Sequence, residues 1–252
     1  MRAIARACLL SGAALAVAVP ARADDQADAR KIIDKAITAH GGAEALAKNP
    51  ASTSKMKGKF YGMGEGIDFT GTFSMHPPDR FYFEIKMTIM NQAFTLVQAM
   101  KGDKGWVSLN GMVQDLPKEG VAEIHEGLHV HELGRLVCLT GKDYKLSTLG
   151  EVKVDNKPAL GIHVEFKGRR DVNLFFDKET GLLVKTETRA KDAMMGDQEF
   201  TAENYLREYK KVGAVMVPQK VEIRRDGKLF VEGETTEYTT SEKLDDALFA
   251  KP

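Results

Sequence analysis

Residues 67–89 read IDFTGTFSMHPPDRFYFEIKMTI, and this stretch decides the fold. On both sides of the Pro77-Pro78 pair, apolar side chains occupy every second position. A period of two places apolar side chains on one face of a strand and polar side chains on the other. Two such strands joined by a proline turn indicate an antiparallel sheet whose apolar face covers other apolar material.

The same alternation continues outward from this stretch. It precedes it at residues 55–62, follows it at residues 94–100, and returns from Tyr144 to Thr239 after one interruption. Gly58, Gly62 and Gly71 fall on the apolar face, where glycine favours sharp bends. Bent strands are what a barrel or half-barrel requires. The pattern predicts a mainly β fold, an incomplete antiparallel β-barrel.

Two regions carry helical spacing instead. An N-terminal helix is predicted over residues 28–47, interrupted by Gly41-Gly42, because its apolar residues recur every three or four positions. The second region, residues 118–139, interrupts the strands and predicts a mid-chain helical lid over the sheet.

The first 23 residues have the pattern of a secretory signal peptide. Arg2 and Arg6 precede an apolar run over residues 8–19, and a small-x-small site ends at Ala23. We therefore expect export to the periplasm and one mature domain over residues 24–252. Cys8 precedes the apolar run, so no lipid anchor is expected. Cys138 is then the only cysteine of the mature chain, and we expect a buried, unreactive thiol.

Charge and motifs exclude several classes of function. Lys+Arg and Asp+Glu both total 36, and no basic block favours nucleic acid. The chain contains no G-x-S-x-G elbow, phosphate-binding loop or dinucleotide fingerprint. We expect a monomeric protein that is not an enzyme and has no cofactor.

Residues 124–132, IHEGLHVHE, contain the string H-E-x-x-H of zinc hydrolases. The extended form of the motif fails, because Glu132 stands in place of its glycine and Arg135 in place of its third histidine. A zinc hydrolase using His125, Glu126 and His129 stays the least favoured alternative. We expect no metal, and the role of these histidines and of His131 is open.

The predicted apolar face is unusually rich in phenylalanine and methionine, a soft lining suited to flexible apolar ligands. The alternative is that these side chains fill a solid core. The candidate cavity residues are Met56, Phe60, Phe69, Phe73, Met75, Phe81, Phe83, Met87, Phe94, Phe166 and Phe176.

Several phrases make the chain similar to a known family, the periplasmic lipoprotein-sorting carriers of the LolA/LolB-like group. They are AHGG at 39–42, KGDKGW at 101–106, FFDKETGLL at 175–183, YKKVGAVMVP at 209–218 and LDDALF at 244–249. The resemblance implies an incomplete antiparallel barrel, closed on one side by helices, whose cavity shields acyl chains in transit across the periplasm.

The resemblance to these carriers also implies binding partners. The ligands would be lipoprotein acyl chains or lipid, with inner- and outer-membrane transfer proteins as further partners. Arg80, just before the third strand, is the nearest match by position to the family's functional arginine, and would contact the lid. The alternative is a periplasmic sensor or interaction module on the same scaffold.

Overall fold

The computed structural model describes residues 23–192 and 198–252. The predicted signal peptide lies outside these residues except for Ala23, where the first helix begins. Within the described ranges, no helix combines the length and hydropathy needed to cross a membrane.

Both predicted helical regions are helical. They form α1 (Ala23–Ala39), α2 (Ala43–Lys48) and α3 (Lys118–Gly134). The mid-chain helix ends earlier than predicted, because Leu136 adopts a left-handed φ of 70° that an α-helix cannot contain. Val137–Thr140 then form a short 3₁₀ turn, and a second one spans Asp246–Phe249.

The strands account for most of the remaining chain. They are β1 (Ala51–Phe60), β2 (Ile67–His76), β3 (Arg80–Ile89), β4 (Gln92–Lys101), β5 (Lys104–Leu109), β6 (Met112–Asp115), β7 (Tyr144–Val154), β8 (Lys157–Phe166), β9 (Val172–Asp177), β10 (Leu183–Asp192), β11 (Gln198–Val212), β12 (Val215–Arg225) and β13 (Lys228–Ser241).

All thirteen strands form one antiparallel sheet in the order β6-β5-β4-β3-β2-β1-β13-β12-β11-β10-β9-β8-β7. Strands that follow each other in the chain pair with each other, except β6 and β7, and the pairing of β1 with β13 joins the two halves of the chain. The edge strands β6 and β7 do not pair with each other, so the barrel is not closed. The predicted mainly β, incomplete antiparallel barrel with an N-terminal and a mid-chain helix is confirmed.

The pairing of β1 with β13, which joins the two halves of the sheet, contains an irregularity in its register. A bulge lies between Lys55 and Met56 on β1, opposite β13, and bulges increase local twist. Gly58 lies two residues further along β1, within the same strand pair. Its position on the apolar face had predicted a bend in this part of the strand. Gly62 lies in the turn after β1 and not on the face of a strand.

Two packed cores fill the flanks of the concave face. The larger core joins α1 and the residues after α3 to β7–β10, and it contains Ile33, Leu133, Leu139, Ile162 and Phe176. The smaller core packs Val121 and Leu128 of α3 against Met100 of β4. The strands between these cores, β2, β1, β13, β12 and β11, contribute no fully buried residue to either one.

Candidate functional site

A cavity of about 650 Å³ lies between the concave face of the middle strands and the helices α2 and α3. Its strand lining comes from β1, β2 and β10 to β13, the six adjacent strands at the centre of the sheet. This volume falls within the range of about 300–1,000 Å³ that is typical of small-molecule sites.

The β1–β2 wall of the cavity is mostly apolar, with Ser52 and Ser54 of β1 as its polar members. Phe69, Phe73 and Met75 of β2 reach it because they alternate with outward residues, and Met56 of β1 does the same. On the other side of β1, β12 and β13 contribute Val221, Ile223 and Val231. A wall of long, flexible and aromatic side chains suits an aliphatic ligand without a fixed shape.

Helix α3 forms the opposite wall and leaves room under its middle. Gly127, Val130, His131 and Gly134 line the cavity from this helix. A Cβ atom at Gly127 would have no neighbouring atom within 4 Å. The next residue, Leu128, is 1% exposed and fills the smaller core, so the edge of the cavity falls between these two residues.

Polar contacts hold α3 on both sides. On one side, the His125 ring Nδ1 lies 3.3 Å from the Pro78 carbonyl oxygen and Nε2 lies 3.4 Å from Asp103. On the other side, Arg170 donates to Glu123 at 2.8 Å, and Arg169 pairs with Glu126 at 3.2 Å. The helix is therefore fastened to the β2–β3 and β4–β5 turns and to the β8–β9 loop.

The Glu123 carboxylate is stabilised in its charged form. Burial opposes its ionisation, but hydrogen bonds from the Arg170 guanidinium and the Lys191 backbone N–H outweigh burial and hold the pKa of Glu123 below its ordinary value. Arg170 and Glu123 are therefore both charged at neutral pH and form an ion pair.

Arg135, at the end of α3, ties this helix to α2. Its guanidinium donates to the carbonyl oxygens of Leu46 (2.6 Å), Asn49 (3.1 Å) and Pro50 (3.0 Å), and it pairs with Glu132 at 3.2 Å. These bonds satisfy carbonyl groups at the end of the short helix α2. In the sequence, Arg135 stands only where the third zinc ligand would be, and its role between α2 and α3 was not predicted.

The polar side chains of the cavity are mostly uncharged. Asn204 of β11 donates to the Thr186 hydroxyl at 3.0 Å, and the Tyr209 hydroxyl donates to the Leu183 carbonyl at 2.6 Å. Burial, and then the nearby Arg135 charge, lower the pKa of His131 to about 4. Its Nε2 atom is buried and has no hydrogen-bond partner among the described residues, so the imidazole is neutral at neutral pH.

Four of the eleven predicted cavity residues line this cavity: Met56, Phe69, Phe73 and Met75. The other seven lie outside its lining: Phe60 ends β1 away from the cavity, and the other six lie on β3, β4, β8 and β9, which do not line it. They are Phe60, which contacts Phe230; Phe81, in the smaller core; Phe83, stacked on Phe73 and edge-on to Phe81; Met87 and Phe94, paired across β3 and β4; Phe166, packed on Tyr144; and Phe176, in the larger core.

Arg80 was expected to contact the lid, and the structure gives it different partners. Its guanidinium lies 3.6 Å from Asp246 of the C-terminal 3₁₀ turn and 3.9 Å from Asp79. Lys101 also pairs with Asp246, at 2.8 Å. Arg80 therefore helps to fasten the C-terminal turn to β3 and β4, and its expected contact with the lid stays a prediction.

The lining from β10 to β13 was missed by the sequence argument. The signal was present, because residues 215–225 alternate between apolar and polar side chains and so place Val217, Val221 and Ile223 on one face. The candidate cavity residues were all phenylalanine or methionine, so these smaller apolar residues and the Asn204–Thr186 pair were not predicted.

The histidine string does lie on a helix, but its members have separate surroundings. Glu126 accepts from Arg169 and from the Arg170 backbone N–H at 3.0 Å. The His129 ring stacks against the Tyr144 ring, with 6.2 Å between the ring centroids, while His125 faces Pro78 and Asp103. Across residues 23–192 and 198–252, no group of three or more His, Cys, Asp or Glu is arranged to hold a metal ion.

The molecule is thus an open antiparallel half-barrel with a helix-covered cavity, and solved structures share this arrangement. A LolA superfamily protein from Nitrosomonas europaea is 11% identical, with 88% of this chain and 97% of that chain covered and a TM-score of 0.51. A putative outer membrane lipoprotein-sorting protein domain from Vibrio parahaemolyticus is 10% identical, covering 89% and 97%, with a TM-score of 0.53. A DUF1329 family protein from Desulfovibrio piger is 14% identical, covering 88% and 97%, with a TM-score of 0.52.

No family model and no curated protein matches the sequence. Identities of 10–14% over nearly the whole length of the solved structures establish a shared fold. The chain has a LolA-like fold, and the fold that the resemblance implied is confirmed.

Proposed function

We propose that this protein is a periplasmic carrier that holds the acyl chains of lipid or lipoprotein in its cavity and moves them toward the outer membrane. The observation that carries the proposal is the cavity of about 650 Å³, enclosed by helices and walled on β1 and β2 by Met56, Phe69, Phe73 and Met75. Apolar side chains that face a cavity instead of each other gain most when an apolar ligand fills it.

Two further features support a carrier. Neutral and apolar groups form most of the wall, so an acyl chain would leave no charged group of the protein unpaired. The chain also has a fold in common with a protein described as a putative outer membrane lipoprotein-sorting domain. The signal peptide expected at residues 1–23 would deliver the protein to the periplasm, where such cargo travels.

Native mass spectrometry of the protein purified from its own periplasm tests the proposal. A co-purifying lipid, released on denaturation, is the expected result. An apolar fluorescent probe should then bind the delipidated protein with a fixed stoichiometry. A folded protein that retains no lipid and binds neither probe nor lipid extract would refute the carrier.

A matched pair of substitutions localises the binding. Met56→Asp places a carboxylate in the apolar wall, where burying an unpaired charge is costly, and should abolish probe binding. Met112→Asp makes the same change on a methionine that is 72% exposed and should leave probe binding unchanged. Equal effects of the two substitutions would place the probe elsewhere.

A further inference from the structure

Two charged side chains line the cavity, Arg135 and Lys48, and neither leaves a free cation in its interior. Arg135 is the one charged lining residue on α3, and its guanidinium is already bonded to three carbonyl oxygens and Glu132. Lys48, at the end of α2, is exposed to solvent. A ligand anion drawn into the interior would therefore find no available cation, and an unpaired buried anion is strongly unfavourable.

The two histidines of the lining do not change this charge balance. The His40 ring is engaged at both nitrogens, with the Ala36 carbonyl oxygen at 2.7 Å and the Leu183 backbone N–H at 3.4 Å. Burial lowers the pKa of both His40 and His131. Both imidazoles are neutral at neutral pH.

One neutral polar pair has hydrogen-bonding capacity left over. The Asn204 amide donates one hydrogen to the Thr186 hydroxyl at 3.0 Å. Its carbonyl oxygen and its second amide hydrogen have no partner among the described residues, and Asn204 is half-buried and lines the cavity. The bond to Thr186, which is 5% exposed, fixes the direction of the amide. An oriented amide can donate to an ester or amide carbonyl, or accept from a hydroxyl.

This pair lies away from the aromatic wall. Strands β1, β13 and β12 separate β2, which carries Phe69 and Phe73, from β11, which carries Asn204. An aliphatic tail against β2 would leave the other end of the ligand free to reach β11. The cavity therefore has aromatic side chains on β2 and, across it on β11, an oriented neutral amide.

We infer that the cavity selects amphiphiles whose enclosed polar group is neutral, an ester, amide or hydroxyl, over those with an enclosed carboxylate or phosphate, and that Asn204 is the residue that recognises this group. The inference rests on the proposed function, since it names the chemical class of the cargo in the same cavity.

The test compares a long-chain fatty acid with its methyl ester, which have the same chain and differ in charge. Each ligand displaces an apolar fluorescent probe from the delipidated protein at pH 7.5, below its aggregation concentration. The ester is expected to bind at least about tenfold more tightly than the acid. A factor of about ten corresponds to one hydrogen bond gained or to the cost of burying the carboxylate charge. Equal affinities, or tighter binding of the acid through Lys48, would overturn the inference.

Substitution at Asn204 separates recognition from binding in general. Asn204→Leu removes the amide at similar size, so ester affinity should fall about tenfold while the probe binds as before. Asn173→Leu makes the same change on β9 outside the cavity lining and should leave ester affinity unchanged. An Asn204→Leu protein that keeps the full preference for the ester would refute the assignment of Asn204.

The outcomes distinguish the two proposals. A protein that binds the probe but discriminates neither ligand remains a carrier with another selectivity, and only this inference fails. A folded protein that binds neither the probe nor either ligand overturns the carrier and the inference together.

Discussion

The backbone of Gly58 on β1 lies directly against the backbone of Glu232 on β13: a Cβ atom at position 58 would be 1.9 Å from the Glu232 carbonyl oxygen. Strands β1 and β13 are the pair that joins the two halves of the sheet. The neighbouring atom belongs to the backbone of a central strand, so it cannot move aside without disturbing the pairing. The bend of the half-barrel at this joint therefore depends on the absence of a side chain.

Gly58→Ala should lower the free energy of unfolding by about 1–3 kcal/mol, the usual range for a clash in a packed region. The control is Gly233→Ala on the facing strand, where the new Cβ would meet the Met56 Cε atom at 2.7 Å, the end of a flexible side chain. Urea denaturation measures both. Equal losses in the two variants would show that Gly58 is not specially constrained.

Acid should destabilise the protein through His131. The pKa of His131 is lowered to about 4 in the folded protein, and that of an unfolded histidine is about 6.5. Between these values the unfolded chain binds a proton that the folded chain does not, so stability falls as pH decreases from about 6.5 to 4, by at most about 3 kcal/mol. Denaturation between pH 7.5 and 4.5 measures this slope.

Two variants separate the titration of His131 from its packing. His131→Gln keeps a polar group and His131→Leu an apolar one, and neither titrates in this range. Both should have a shallower loss of stability with acid, whatever their stability at pH 7.5. A slope that is unchanged in both variants would assign the acid sensitivity to other groups.

Cys138 should react slowly with thiol reagents. It is half-buried instead of fully buried as expected, with its thiol 3.5 Å from the Glu132 carbonyl oxygen. Burial, and then the Glu132 charge, raise the pKa of Cys138 to about 11, so about one thiol in a thousand is ionised at pH 8. Labelling should accelerate by about 100-fold or more in denaturant. Equally fast labelling without denaturant would contradict this environment.

Zinc should not bind stoichiometrically to the histidine string. Glu126 is already bonded to the β8–β9 loop, and His125 and His129 contact different parts of the sheet. We expect less than about one zinc ion per chain after dialysis, since a site lacking a third ligand binds weakly. Metal analysis of the wild type and of His125→Ala checks this expectation. One equivalent that disappears in the variant would revive the hydrolase hypothesis.

The strands were predictable from sequence because a half-buried antiparallel strand needs a period of two. Residues 67–89 show this alternation without interruption, and β2 and β3 occupy that stretch. Sequence also identified both helical regions. The end of α3 was missed although the helix ends at Gly134, a common stop signal. The apolar residues that follow it, Leu136 and Leu139, extend the helical spacing because they pack in the larger core.

The cavity was much less predictable than the strands. Phe73 and Phe176 both occupy apolar positions on strands, yet Phe73 lines the cavity and Phe176 is 1% exposed in a packed core. A strand pattern does not distinguish them, because both positions face the same side of the sheet. The difference is made by which helix residue lies opposite, and this depends on tertiary packing.

Gly127 is an exposed glycine of α3 that lines the cavity, and filling the open space beside it provides a direct test of the cavity. A Cβ atom at position 127 would have no atom within 4 Å, and glycine in a helix interior costs about 1 kcal/mol relative to alanine. Gly127→Ala should therefore raise the free energy of unfolding by about 0.5–1 kcal/mol. It should leave probe binding nearly intact, because one methyl group occupies little of the cavity.

Gly127→Leu should remain folded but bind the apolar probe more weakly, because the larger side chain enters the cavity and takes the place of the ligand. The matched control is Ala122→Leu, which adds a leucine at an exposed position of the same helix and should bind the probe like the wild type. Fluorescence titration gives affinity and stoichiometry, and circular dichroism verifies the fold. If Gly127→Leu binds the probe as tightly as Ala122→Leu does, the ligand does not occupy the space under α3.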